Sequence, residues 1–123
     1  MANPNIVNVT SIYGATSYLI PSTTSATTWT ALTPATNTVN KIDSLVACNV
    51  TGSAVAVTVS INSATGGGGT AYRLAYQISV PSNASLIIVD KTTAQYVGES
   101  QSIVVTVGTG SAIELTASYE AIT

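Results

Sequence analysis

The chain contains no histidine, no phenylalanine and a single cysteine, and only 7% of its residues are charged, against about 25% in ordinary globular proteins. Each shortage removes a class of function. Without histidine, neither a Ser-His-Asp nor a Cys-His nucleophile can be assembled within one chain, and the usual nitrogen ligand for zinc is missing. Cys48 alone permits no internal disulfide and fits a reducing compartment, and its strand parity reads as that of a small core residue rather than a nucleophile. The three basic residues, Lys41, Arg73 and Lys91, are scattered in a chain of net charge −2, so no nucleic-acid surface is expected. No apolar run approaches the roughly 18 residues of a membrane span, so no membrane partner is expected. The N-terminal stretch MANPNIVNVTSIYG has neither a basic n-region nor an uninterrupted apolar h-region, which predicts that the chain stays in the compartment where it is made.

The remaining chemistry is thin. Glu114 and Glu120 share one face of a strand but, six residues apart, lie roughly 20 Å from each other at ~3.4 Å per residue, beyond glycosidase spacing. Asp90 and Glu99 can approach across a loop, where a Ca²⁺ site is conceivable, with solvated strand ends as the simpler reading. Gly66 to Gly69 form a four-glycine run, but no lysine or helix start follows, so it reads as a mobile loop at the tip of a sheet rather than a phosphate cradle. Among the aromatic residues, Tyr72, Tyr76 and Tyr119 fall at inward positions, which leaves Trp29 and Tyr96 as candidates for stacking on sugars. No enzyme activity, cofactor or metal is expected.

What is present is strand after strand. Val55, Val57, Val59 and Ile61 alternate with Ala54, Ala56, Thr58 and Ser60, a period of two. Before them Ile42, Val46, Cys48 and Val50 share one parity, and Thr51-Gly52-Ser53 reads as the turn of a hairpin joining two long strands. Tyr72, Leu74, Tyr76, Ile78 and Val80 alternate inward, Leu86 to Val89 reads as a short buried strand, and Ile103 to Val107 with Ile113 to Tyr119 reads as a last hairpin. Tyr96 and Val97 are expected to tuck against the core. Short strands are also expected at Tyr18 to Ile20 and around Trp29 to Leu32, closed by Pro21 and Pro34.

These elements predict an all-β chain: one domain over residues 1–123, an antiparallel β-sandwich of roughly eight or nine strands, jelly-roll or immunoglobulin-like, with a short N-terminal arm over residues 1–5. From Ile6 to Tyr13 the pattern is apolar on both parities, with Gly14 ending it. Ile6, Val7, Val9, Ile12 and Tyr13 are therefore the candidate oligomer or particle interface, reached by strand addition or exchange between neighbours. A surface so poor in charge is weakly protected against self-association.

The stretch from Lys41 to Ile61, K-I-x-S-L-x-x-C-N-x-T-G-S-A-x-x-V-T-V-x-I, resembles a group of small virion proteins of tailed bacteriophages, including those of marine and cyanobacterial hosts. Tyr72 to Val80 followed by Pro81-Ser82-Asn83-Ala84-Ser85-Leu86, the element GESQSIVVT at Gly98 to Thr106, and IELTASYE at Ile113 to Glu120 are similar to segments of the same group. The resemblance covers roughly two thirds of the chain, rests on packing and turn motifs, and carries over no binding residues. It implies a head decoration (cement) protein, or alternatively a neck or tail accessory or a tail-borne carbohydrate-binding adhesin. It also implies a protein made in the host cytoplasm and located in the virion. Its partners would be the major capsid protein or other virion proteins, and copies of itself, a trimer being favoured.

Overall fold

Period-two apolar spacing runs through most of the chain, and strands follow it. The computed structural model describes residues 9–123, so the arm over residues 1–5 and the candidates Ile6 and Val7 lie outside the described residues. The strands are β1 (Ile12–Leu19), β2 (Thr27–Thr28), β3 (Val39–Asn49), β4 (Val55–Asn62), β5 (Ala71–Val80), β6 (Ser85–Val89), β7 (Gln95–Val97), β8 (Ser102–Val107) and β9 (Ile113–Ile122). Three single 3₁₀ turns join them, and there is no α-helix among the described residues.

One sheet runs β1-β9-β3-β6 with β7 also paired to β3, and the other runs β2-β8-β4-β5. Every pairing is antiparallel. The partners nest, β1 with β9, β2 with β8, β3 with β6 and β4 with β5. That nesting makes the sandwich a jelly roll, not an immunoglobulin-like fold. It also corrects two expected hairpins. β3 and β4 belong to different sheets, as do β8 and β9, so the turns at Thr51-Gly52-Ser53 and Gly108 to Ser111 are arches that carry the chain across the sandwich. The local sequence specifies a turn between two strands; β3 leaves its neighbour because it finds a ten-residue partner in β9.

Between the sheets lies a core of Trp29, Leu32, Ile42, Leu45, Val57, Val59, Ile103, Val105, Ile113 and Leu115, among others. The expected alternation holds in β4 and β9, where Val55, Val57 and Val59, and Ile113, Leu115 and Ala117, are buried. It fails in β3 and β5, and bulges are the reason. The register of β3 against β9 slips between Ile42 and Ser44, which reverses the faces beyond Asp43. Leu45, Ala47 and Asn49 therefore point into the core, while Val46 and the half-exposed Cys48 occupy the outer face and Val50 is exposed. Cys48 is not a core residue. In β5, two residues of β4 face three of β5 between Val57 and Val59, and one faces two at the next step. Gln77 takes φ 48° at the first irregularity, with its N–H donating to Thr58 Oγ1 at 2.9 Å. As a result Ala75 is buried in place of Tyr76, which is exposed; Val80 is buried as expected and Leu74 is half-buried, whereas Ile78 and Tyr72, still opposite Val57 and Ile61, are exposed because β5 is the edge of its sheet.

Four further expectations change. β1 continues through Gly14, which pairs with Glu120, so the apolar stretch ends at Leu19 and the expected separate strand at Tyr18 is part of β1. The segment around Trp29 is a two-residue strand followed by a 3₁₀ turn over Thr30–Leu32. β6 is an edge strand with Ile87 64% exposed, not a buried one. Of the expected pair Tyr96 and Val97, Val97 is buried and Tyr96 is exposed.

The glycine run does not project as a free tip. It folds back on the outer face of the second sheet, where Asn62 Nδ2 donates to Gly67 O at 2.9 Å, Gly67 N to Ser102 Oγ at 3.0 Å and Ser102 Oγ to Ala64 O at 2.7 Å. Ser60 Oγ donates to Asn62 Oδ1 at 2.8 Å and orients the amide. Gly67 has φ +80°, and a Cβ there would lie 2.5 Å from Thr28 Oγ1 and 3.4 Å from Val104 Cγ2. Gly67→Ala is expected to cost about 1–2 kcal/mol through the left-handed backbone and the displaced threonine. Gly52→Ala, whose Cβ would meet open space, should stay within about 0.5 kcal/mol of wild type. Urea unfolding of the two variants checks the contrast; equal stabilities would show that the loop is not anchored.

Candidate interaction surface

The charged groups are dispersed and mostly occupied. Asp90 caps the 3₁₀ turn over Lys91–Thr93, accepting from Thr92 N at 2.9 Å, Thr93 N at 3.2 Å and Thr92 Oγ1 at 2.6 Å. The bonds from Thr92, then those from Thr93, hold its carboxyl below the usual carboxylate range. Since the folded pKa is lowered, the cap contributes at neutral pH and is lost as pH falls through that value. Glu99 is buried at 8% exposure and accepts from Asn37 N at 2.6 Å through Oε2, while its Oε1 has no partner among the described residues. Asp90 is thus committed to its own turn and one oxygen of Glu99 to the backbone of Asn37, and no group of three or more metal-ligating side chains occurs among the described residues. Lys41 sits 3.7 Å from Asp43 and 3.9 Å from Glu120, and Arg73 lies over the Tyr76 ring at 5.0 Å on the other sheet. No helix among the described residues is long and apolar enough to cross a membrane. A shallow depression of about 250 Å³ beside the β5 irregularity is lined by Thr24, Thr58, Gln77, Thr106 and Val107 and carries no charge.

The candidates for sugar stacking separate. Trp29 is 1% exposed and donates through Nε1 to Ser17 Oγ at 3.0 Å, so its ring is core. Tyr96 is exposed, and so are Tyr72 and Tyr76, which the sequence pattern placed inside.

The exposed apolar surface concentrates at β1, while the charges of its sheet, Lys41, Asp43, Glu114 and Glu120, lie on β3 and β9. β1 forms an end of the sheet, and its register against β9 runs unbroken from Ile12–Ile122 to Leu19–Leu115. Ile12, Tyr13, Tyr18 and Ile20 are all more than half exposed, Tyr18 at 76% and Tyr13 at 68%. Of the interface candidates, Ile12 and Tyr13 therefore lie on an exposed edge; Val9 is half-buried and precedes the strand. Tyr18 pairs with Thr116, Thr116 with Val46, and Val46 with Ile87, which lays one uncharged row across all four strands. Tyr18, Ile20 and Ile87 were not among the sequence candidates. The signal for the first two is the charge-free run Ile12 to Ile20, which contains no proline and ends only at Pro21.

The other edges are blunted. β2 has two residues, β5 is twice bulged and carries Arg73, and β6 has five residues and runs straight into Asp90. β1 is the long, regular, uncharged edge among the described residues.

No protein-family model matches the chain, and no curated protein matches it. Among solved structures, the chain is similar to the cryo-EM structure of the virus-like particle of the giant freshwater prawn Macrobrachium rosenbergii extra small virus. The identity is 15%, over 98% of this chain and 86% of that one, with a TM-score of 0.43. The jelly-roll assignment rests on the strand order itself.

Proposed function

We propose that this chain is a structural component of a virus particle, in the first place a capsid decoration (cement) protein of a tailed bacteriophage, acting through contacts with copies of itself and with the major capsid protein. The observation that carries the reading is the exposed, regular, uncharged edge of β1 on a jelly-roll sandwich. Viral capsid domains are prominent among jelly rolls, and an open strand edge is suited to contact with another sheet. The sequence resemblance to small phage virion proteins points the same way and supplies the phage. Ile6, Val7, Val9, Ile12 and Tyr13 are the proposed interface, to which the exposed Tyr18 and Ile20 are added.

A tail-borne carbohydrate-binding adhesin is the second reading, favoured by the exposed Tyr72, Tyr76 and Tyr96. The molar ratio of this protein to the major capsid protein in purified particles, measured by quantitative mass spectrometry, separates the two. A ratio near one or a simple fraction such as about a third is expected for a lattice component. A handful of copies would move the protein to the neck or tail, and absence from particles would discard the virion reading.

A further inference from the structure

We infer that β1 pairs with β1 of a second copy of this chain, antiparallel about a two-fold axis at Thr16, so that the β1-β9-β3-β6 sheets of two subunits join into one. The inference rests on the proposed contact role of this edge and adds the partner, the symmetry and the register.

The argument begins with the faces of β1. Ser17 is buried opposite buried Ala117, so Tyr13, Ala15, Ser17 and Leu19 share the inner side and Ile12, Gly14, Thr16 and Tyr18 the outer, with the exposed Ile20 next after the strand end. A continuous sheet sets inner residues opposite inner ones and outer opposite outer ones. In an isologous pair the axis must therefore pass through a residue rather than between two. With the axis at Thr16, Ile12 faces Ile20, Tyr13 faces Leu19, Tyr18 faces Gly14 and Ala15 faces Ser17. The exposed Ile12, Tyr13 and Ile20 then each meet an apolar side chain, and the Tyr18 ring of the other copy covers the bare backbone of Gly14. With the axis at Ala15, Ile12 faces Tyr18, but Ile20 faces Thr10, Tyr13 faces Ser17 and Gly14 faces Thr16, so two of the four exposed apolar side chains face polar ones. Because Ile12 to Ile20 carries no charge, no like charges are brought together by the two-fold. The uncharged row from Tyr18 to Ile87 continues the contact surface outward on both subunits. Three-fold association, implied by the phage resemblance, would have to use another face.

Single-cysteine variants of the full chain at positions 14, 15, 16 and 17, in a Cys48→Ser background, test the register under mild oxidation. At the axis, Thr16→Cys faces its own copy at ~4.5–5.5 Å between Cα atoms, within disulfide reach. Ala15→Cys and Ser17→Cys lie about 7–8 Å from their own copies and are out of reach. Crosslinked dimer is expected to form at least about tenfold faster from Thr16→Cys than from the other three, with circular dichroism unchanged by a substitution at so exposed a position. Fastest crosslinking at another position, or no crosslinking with a monomer in sedimentation at all concentrations, overturns the inference. Incorporation into particles without a Thr16 crosslink overturns the two-fold contact alone. A Thr16 crosslink in a protein absent from particles leaves this contact standing and overturns the proposed function.

Discussion

Trp29→Ala is expected to remove about 3–5 kcal/mol of stability, the range for deleting a fully buried large aromatic side chain. The ring is 1% exposed and packs among Leu32, Ile42, Val57 and Ile103 in the core cluster, so its loss leaves a cavity that rigid strands on both sides cannot close. Its polar atom is spent as well. The indole N–H donates to Ser17 Oγ at 3.0 Å and the backbone N–H to Ile103 O at 2.8 Å, so one residue joins the edge strand β1 to β8 of the opposite sheet. For a domain with a total of about 5–15 kcal/mol, the variant should be marginal, with Tm lowered by roughly 10–25 °C. Ser17→Ala, which strands the buried indole N–H without making a large cavity, should cost about 1–3 kcal/mol. Thermal unfolding by circular dichroism gives both values. A Tm shift of only a few degrees for Trp29→Ala would mean that the ring is not the packing centre of the sandwich.

Asn49→Ala should rank next, at about 2–4 kcal/mol in urea unfolding. The amide is fully buried at the end of β3, where the chain leaves one sheet and arches to the other. Its Nδ2 donates to Ser53 O at 2.8 Å and Val80 O at 2.9 Å, and its Oδ1 accepts from Thr51 N at 2.9 Å and Thr51 Oγ1 at 2.7 Å. All four hydrogen-bonding positions of the side chain are thus used, two donors and two lone pairs. Removal strands the carbonyl of Val80, itself a core residue, and frees the arch that sets the β3 to β4 crossing. Asn49→Asp is a sharper probe, since it keeps the acceptors and volume but puts a carboxylate against two carbonyl oxygens. It should destabilise at neutral pH and recover toward acidic pH as the carboxyl protonates. A pH-independent loss would show that the amide's donors matter little.

Both residues show where local pattern stops being informative. Asn49 lies on the side that β3 alternation marks as outward, because the slip at Asp43 is invisible in a period-two reading. Trp29 stands in a stretch of Ser and Thr that reads as loop and strand, and only the enclosing sheets reveal that it fills the core. In β5, likewise, an unbroken alternation hides two bulges, the first of which turns Tyr76 away from the side of Ile78, while Ile78 and Tyr72 stay opposite Val57 and Ile61 and are exposed because β5 is the edge of its sheet.

By itself the sequence determined that this is an all-β sandwich without a histidine-based site, since period-two spacing and composition are local or additive properties of the chain. It also contained the charge-free run from Ile12 that became the β1 edge, although Gly14 hid its extent. Tertiary structure alone decided which turns are hairpins and which are arches, which faces of β3 and β5 look inward, and which edges stay open. Those outcomes depend on pairings between residues far apart in sequence, such as β3 with β9 and β1 with β9. A one-residue slip in any of them carries every side chain beyond it to the opposite face.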